Sequence, residues 1–328
     1  MLPIAVDAMG GDRGPTEIVA GARRASAELD VPVLLVGQPE ALGDTGGLEV
    51  LAATEVITME DDVAAGVRRK KDASVVRAAE AVRDGRASAM VSAGNTGAAM
   101  GSALLRMGRL PGVIRPAIAT PLPVPGSTPT VLLDAGANAE VQAEWLVQFA
   151  QMGAAFAAGR YGIDQPRVGL LSIGEEPTKG TGVVKDAHAA LAVPQVWTGS
   201  GGRFVGNVEG RDLLTDRVDV VVTDGFTGNV VLKALEGAMT FMRRAVFGVL
   251  TSTPEAIKAS EVLVPLLMPL VREMDPDSYG GALLLGVDGV CIISHGSSSA
   301  DAVVNAVGVA RDMVQGGLVD RLRQSVKG

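Results

Sequence analysis

Six times along this chain an apolar run gives way to a turn rich in Gly, Asn, Asp and Thr, and a helical pattern usually follows: after Val6, Ser92, Leu133, Ile173, Val222 and Ile293. Few architectures accommodate that alternation. Continuous apolar runs suit strands buried on both faces, and strands alternating with helices predict a parallel or mixed sheet covered on both sides. The clearest instance is Val218-Asp219-Val220-Val221-Val222, followed by the turn Asp224-Gly225-Phe226-Thr227-Gly228-Asn229 and by apolar residues at helical spacing as far as Leu250. Parallel α/β sheets hold ligands at such junctions, and the unpaired N–H groups of a helix start favour anions. For one turn, capping by Asp224 or Thr227 is explanation enough. Six turns, carrying Asp7, Asn95, Thr96, Asn138, Lys179, Asn229 and His295, predict a polar crevice along one sheet edge.

The other elements follow the same logic. Strands are predicted at 3–6, 31–36, 49–58, 89–92, 117–120, 130–133, 168–173, 204–206, 282–286 and 290–294, with helices at 15–28, 74–83, 140–157 and 254–274. No repeat or low-complexity linker divides the chain, so residues 1–328 are expected to form one α/β domain with a helical excursion near 235–275.

Composition removes several functions. Aromatics are 3% and net charge is −8, which argues against nucleic acid as a partner. One cysteine and two histidines leave no disulfide and no multi-cysteine or multi-histidine metal site, so no metal is expected. Residues 180–185 put Lys185 where a dinucleotide fingerprint needs its third Gly, and Lys179 precedes a Gly rather than following one as in a P-loop. No nucleophile elbow is present, and Cys291 sits in the apolar run Gly289-Val290-Cys291-Ile292-Ile293, which suits a buried structural thiol. No signal peptide opens the chain and no stretch suits a membrane span, so a cytoplasmic protein is expected.

Taken together, the turns resemble the phosphate acyltransferases of bacterial phospholipid synthesis. The matching segments are Ile4-Ala5-Val6-Asp7-Ala8-Met9-Gly10-Gly11-Asp12, Val67-Arg68-Arg69-Lys70-Lys71, Ser92-Ala93-Gly94-Asn95-Thr96-Gly97-Ala98, Leu133-Asp134-Ala135-Gly136-Ala137-Asn138, Gly206-Asn207-Val208-Glu209-Gly210-Arg211-Asp212, residues 223–233, Tyr279-Gly280-Gly281-Ala282 and His295-Gly296-Ser297-Ser298. The resemblance implies a Rossmann-like three-layer α/β/α fold of the phosphotransacetylase and isocitrate dehydrogenase kind, with a mostly parallel sheet and a protruding helical pair. It implies transfer of a fatty acyl group from acyl-acyl carrier protein to inorganic phosphate, without cofactor. It further implies a homodimer that visits the membrane peripherally and passes acyl phosphate to a downstream membrane glycerol-3-phosphate acyltransferase. Its proposed catalytic pair falls on Lys179 and Asn229; Ile293-Ser294-His295 departs from the family's common Lys-Ala-His.

Around that pair, Asp7, Gly10, Gly11, Asn95, Thr96, Asn138, Thr227, Gly228 and His295 are the candidate substrate-binding residues. Arg68, Arg69, Lys70 and Lys71 are the densest basic run for an acidic carrier protein, with Arg243 and Arg244 second; a solvated charged face is the alternative. Residues 262–271 are ten uncharged residues, so Leu263, Leu266 and Leu267 are candidates for membrane contact or for a dimer contact. An acyl-coenzyme A-dependent phosphotransacylase and a non-catalytic membrane scaffold are the competing functions.

Overall fold

The computed structural model describes residues 1–58 and 60–326. Its strands are β1 (Ile4–Asp7), β2 (Val33–Gly37), β3 (Glu49–Ala52), β4 (Ala89–Ser92), β5 (Ala117–Leu122), β6 (Thr130–Leu133), β7 (Arg167–Leu171), β8 (Arg203–Val208), β9 (Val220–Val222), β10 (Ala282–Leu285) and β11 (Val290–Ile293). Its helices are α1 (Thr16–Leu29), α2 (Val63–Arg69), α3 (Ser74–Arg83), α4 (Thr96–Arg106), α5 (Ala143–Tyr161), α6 (Gly182–Leu191), α7 (Gly225–Leu250), α8 (Pro254–Glu273), α9 (Ala300–Gln315) and α10 (Leu318–Ser325).

All the strands join one sheet in the order β3-β2-β1-β4-β11-β10-β5-β6-β9-β7-β8. β1, β4, β6 and β11 are buried along their whole length, which is why they read as apolar runs rather than alternating patterns. One face packs on α1, α5, α6, α9 and α10 through side chains such as Ile18, Phe149, Leu191, Val303 and Leu322. The other packs on α2, α3, α4 and the first half of α7 through Val67, Val76, Ala99 and Leu235. The architecture is thus the expected three-layer α/β/α.

The sense of the strands corrects one expectation. β3, β2, β1, β4 and β11 are mutually parallel, as are β6, β9, β7 and β8. Between them the pairs β11/β10, β10/β5 and β5/β6 are antiparallel, so the two blocks run in opposite directions. The six turns therefore fall into two groups instead of one row. Register brings the groups back together. Val91 aligns with Ile292, Ile292 with Leu283, Leu283 with Ala119 and Ala119 with Leu133. The last residues of β4 and β6, Ser92 and Leu133, are thus one register step apart. They are separated by four strand spacings, about 19 Å. Both blocks release their chain near the same level, on either side of β10 and β5.

Smaller differences have local causes. The strand expected to reach Ile173 ends at Leu171, and Ile173 is 83% exposed. The basic run 68–71 is partly helical: Arg68 and Arg69 form the last turn of α2, which Asp62 caps by accepting from Ala65 N–H. No described helix is long and apolar enough to cross a membrane.

Candidate active site

The chain between β6 and α5 builds a socket for the start of α7. Asp134 is fully buried. Its Oδ1 accepts from the N–H groups of Ile118, Gly136 and Ala137, and its Oδ2 from the N–H and Nδ2 of Asn138. Asn138 Nδ2 also donates to Pro116 O, and Asn138 O accepts Gly225 N–H at 2.7 Å. The next turn of α7 presses on the same loop: a Cβ at Gly228 would lie 1.9 Å from Asp134 O. Only glycine permits that approach, and it brings Asn229 alongside Gly136. Asp224 caps the helix, accepting Thr227 N–H at Oδ1 and Thr227 Oγ1–H at Oδ2.

A second cluster of turns lies at the other block. Asp7 Oδ2 accepts from Ser92 Oγ at 2.7 Å, and Asp12 N–H donates to Gly296 O at 2.7 Å. Gly10 stacks directly on Gly94, where a Cβ would lie 2.7 Å from Gly94 N. The turns after β1, β4 and β11 are therefore locked together. Asn95 caps α4 and Ser299 caps α9, each accepting a backbone N–H in its first turn. His295 Nδ1 is 3.0 Å from Ser297 Oγ and accepts Ser297 N–H at 3.4 Å.

Between the clusters, over β5 and β10, lies a cleft of ≈ 830 Å³. That is within the usual range for small-molecule sites, about 300–1,000 Å³. Thr96, Asn229, Ser294, His295 and Ser297 line its polar end. An apolar trough adjoins it, where Met239, Val246 and Phe247 of α7 and Leu267, Leu270 and Val271 of α8 line the cleft. Three cations line it, Arg13, Lys233 and Arg243; Lys233 is held by Glu236 at 2.9 Å. Burial and nearby Asp275 push the Asp277 carboxyl above the usual range, against the pull of His295 and Arg13. Among the described residues no group of three or more His, Cys, Asp and Glu has the arrangement of a metal site.

The cleft thus gathers Thr96, Asn229 and His295 from the predicted site, and Leu267 from the predicted membrane contact. Other residues are spent on structure. Asn138 and Thr227 commit their side-chain donors to Asp134, Pro116 and Asp224. Asn95 commits its oxygen to its cap, and Gly10, Gly11 and Gly228 let backbones meet. Lys179 is outside the cleft lining, on the turn after β7; its Nζ is 3.9 Å from Glu176. Leu170 of β7 aligns with Val222 of β9, so this turn and the one leading to Asn229 leave neighbouring strands at nearly one level. In the basic run, Lys70 is tied to Val56 O and Asp61, whereas Arg68, Arg69 and Lys71 are exposed. Sequence reasoning overlooked Arg13, Thr120, Ser294 and the α7/α8 trough; only helix pairing reveals the last.

Asp7 is buried and outside the cleft lining, so its part is to hold the turns together. Burial raises its pKa above 3.8, although Ser74, Ser92 and the Met9 and Gly10 N–H groups oppose the rise. The folded state therefore binds this proton more tightly than the unfolded chain, and ionising Asp7 opposes folding as pH climbs from 3.8 through the raised value. In paired thermal melts Asp7→Asn should improve relative to the parent as pH rises across that window. A pH-independent difference would show that the carboxylate carries no such penalty.

The architecture is that of phosphotransacylases. A phosphotransacetylase from Streptococcus pyogenes superposes with a TM-score of 0.64, covering 96% of this chain and 94% of that one at 16% identity. The profile of the family described as "Fatty acid synthesis protein" matches residues 2–321. Proteins named phosphate acyltransferase are similar over nearly their whole length. The one from Elusimicrobium minutum is 48% identical over 332 residues, 98% of this chain and 95% of the relative. The one from Heliobacterium modesticaldum is 45% identical over 335 residues, 99% and 98% of the respective chains. This chain belongs to that phosphate acyltransferase family.

Proposed function

We propose that the protein transfers a fatty acyl group from acyl-acyl carrier protein to inorganic phosphate, giving acyl phosphate for phospholipid synthesis. The observation that carries this reading is the continuity of one cleft, from polar residues at three helix starts to an apolar trough between α7 and α8. A phosphate group suits the first part and an acyl chain the second, each buried CH₂ contributing about 0.8 kcal/mol.

The chemistry asks little of the protein. Phosphate is substantially anionic at neutral pH (second pKa roughly 6–7, near that of phosphoserine), so it needs no strong base. Its oxygen attacks the thioester carbonyl, the C–S bond breaks, and the thiolate leaves and takes a proton from solvent. A thiol pKa of about 8.5 lets it depart without an obligatory acid. What remains is to stabilise the tetrahedral oxyanion. Asn229 Nδ2 is assigned to that oxygen. Lys179 reaches the same oxygen from the adjacent turn, giving up its contact with Glu176. Both partners of that pair are about half exposed or more. Such a contact is worth about 0–1 kcal/mol and is easily exchanged. The test is incubation of purified protein with palmitoyl-acyl carrier protein and phosphate. Palmitoyl phosphate is expected, more slowly or not at all from palmitoyl-coenzyme A. Preference for the coenzyme A donor would replace the carrier protein in this reading.

The α7–α8 pair carries the partner assignments. Phe241, Val249, Val262 and Leu266 are exposed at 69, 69, 69 and 72%, and Leu263 at 45%. Monomeric soluble proteins rarely leave such a surface uncovered. We assign its α8 side to peripheral contact with lipid, within a homodimer. Leu263→Glu with Leu266→Glu is expected to abolish sedimentation with anionic liposomes while the protein stays dimeric. A monomeric variant would give this face to the second copy instead.

A further inference from the structure

The cleft floor contains a hydroxyl with nothing to bond. Ser294 is 6% exposed, lines the cleft, and its Oγ has no hydrogen-bond partner among the described residues; Thr120 Oγ1 is in the same position. Leaving a buried hydroxyl unpaired opposes folding, and such groups in native structures call for a use. Ser294 Oγ is 3.0 Å from the point that a Cβ on Gly281 would occupy, and Gly281 also lines the cleft. With no side chain at 281, nothing from this residue fills the space beside the buried hydroxyl. Beside it, the turn bearing Arg13 is tied to the turn bearing His295 through Asp12 N–H and Gly296 O. Arg13 lines the cleft and takes part in none of the ion pairs among the described residues.

We propose that Ser294 and Arg13 form the seat of a phosphate group at the β11 end of the cleft, Ser294 donating its O–H and Arg13 balancing the charge. The seat rests on the acyl-to-phosphate reading and deepens it: phosphate is held by the turns after β1 and β11, while Asn229 belongs to the opposite wall. The group has two chemical sources, the inorganic phosphate nucleophile and the phosphodiester of the donor's pantetheine arm.

Ser294→Ala and Arg13→Gln test the seat. Ser294→Ala removes an unpaired hydroxyl and no packing, so its melting temperature should hold or rise. Loss of a hydrogen bond to a charged group should raise the relevant KM about ten-fold or more, with kcat little changed. A rise in the KM for phosphate, with acyl-acyl carrier protein and with a short acyl thioester lacking any phosphodiester, identifies inorganic phosphate. A rise only for acyl-acyl carrier protein identifies the pantetheine arm. Unchanged KM values in both variants overturn the seat, as does a clear fall in melting temperature for Ser294→Ala, which would mean the hydroxyl is structural. If the parent makes no acyl phosphate, the melting-temperature rise given by inorganic phosphate or 4′-phosphopantetheine decides. Stabilisation of the parent but not of the variants keeps the seat while the proposed reaction falls; equal stabilisation, or none, overturns it.

Discussion

Replacing Asp134 by Ala is expected to destabilise the protein by about 3–5 kcal/mol, since each buried donor left unpaired costs about 1–3 kcal/mol and solvent can recover only part of the loss. Five donor bonds converge on this carboxylate, four from backbone N–H groups and one from Asn138 Nδ2. Asp134→Asn is the sharper test. It keeps the shape, but an amide nitrogen placed at Oδ2 would meet Asn138 N–H and Nδ2, two donors facing a third. Flipping the amide only moves the conflict to Ile118, Gly136 and Ala137. A loss of about 2–3 kcal/mol is expected, a large share of the roughly 5–15 kcal/mol that holds a domain folded. Because Gly228 rests on Asp134 O, the start of α7 should shift, and turnover should fall even where the variant is folded. Urea denaturation of Asp134→Asn within about 0.5 kcal/mol of the parent, a change typical of an uninvolved surface position, would contradict the socket.

Asn229→Ala is expected to behave in the opposite manner, leaving stability nearly intact and lowering kcat about 10²–10³-fold, the usual consequence of removing one oxyanion donor. Its side chain is exposed in the cleft and bonded to no described residue, so the folded state loses little. Lys179→Ala should act on the same step. If both groups serve one oxygen, the double variant should lose far less than the product of the single losses. Independent, multiplicative losses would separate the two residues, and near-parental turnover of Asn229→Ala would remove the amide from the reaction.

The strand-turn-helix rhythm was legible because it is local. β6 begins and ends where its apolar run does, and Thr96, Asn229 and His295 reach the cleft from turns that composition alone marks out. What could not be read depends on distant pairing. Whether β6 runs with or against β4 is decided by β5 and β10, from opposite halves of the chain, so the turns looked like one row when they are two. Turn composition also does not say where a polar group spends its donors. Asn138 and Asp7 have the residue types of a ligand site and are used up inside the socket and the turn cluster. Conversely Arg13, one residue beyond Gly10-Gly11-Asp12, carries no local sign that it reaches the cleft, and Ser294 stands in a segment that departs from a motif. Leu263, Leu266 and Leu267 share one apolar run, yet Leu267 enters the cleft because α7 packs beside it. Sequence carries the chemistry of these residues; the partner helix decides their direction.

In one uninterrupted cleft phosphate is expected to meet the thioester directly, with no acyl group ever attached to the protein. The most direct measurement mixes purified protein with palmitoyl-acyl carrier protein and isotopically labelled free acyl carrier protein, with and without inorganic phosphate. The predicted result is palmitoyl phosphate in step with thioester loss when phosphate is present, and no label entering the thioester when it is absent. Label exchange without phosphate would reveal an acylated protein and contradict the account.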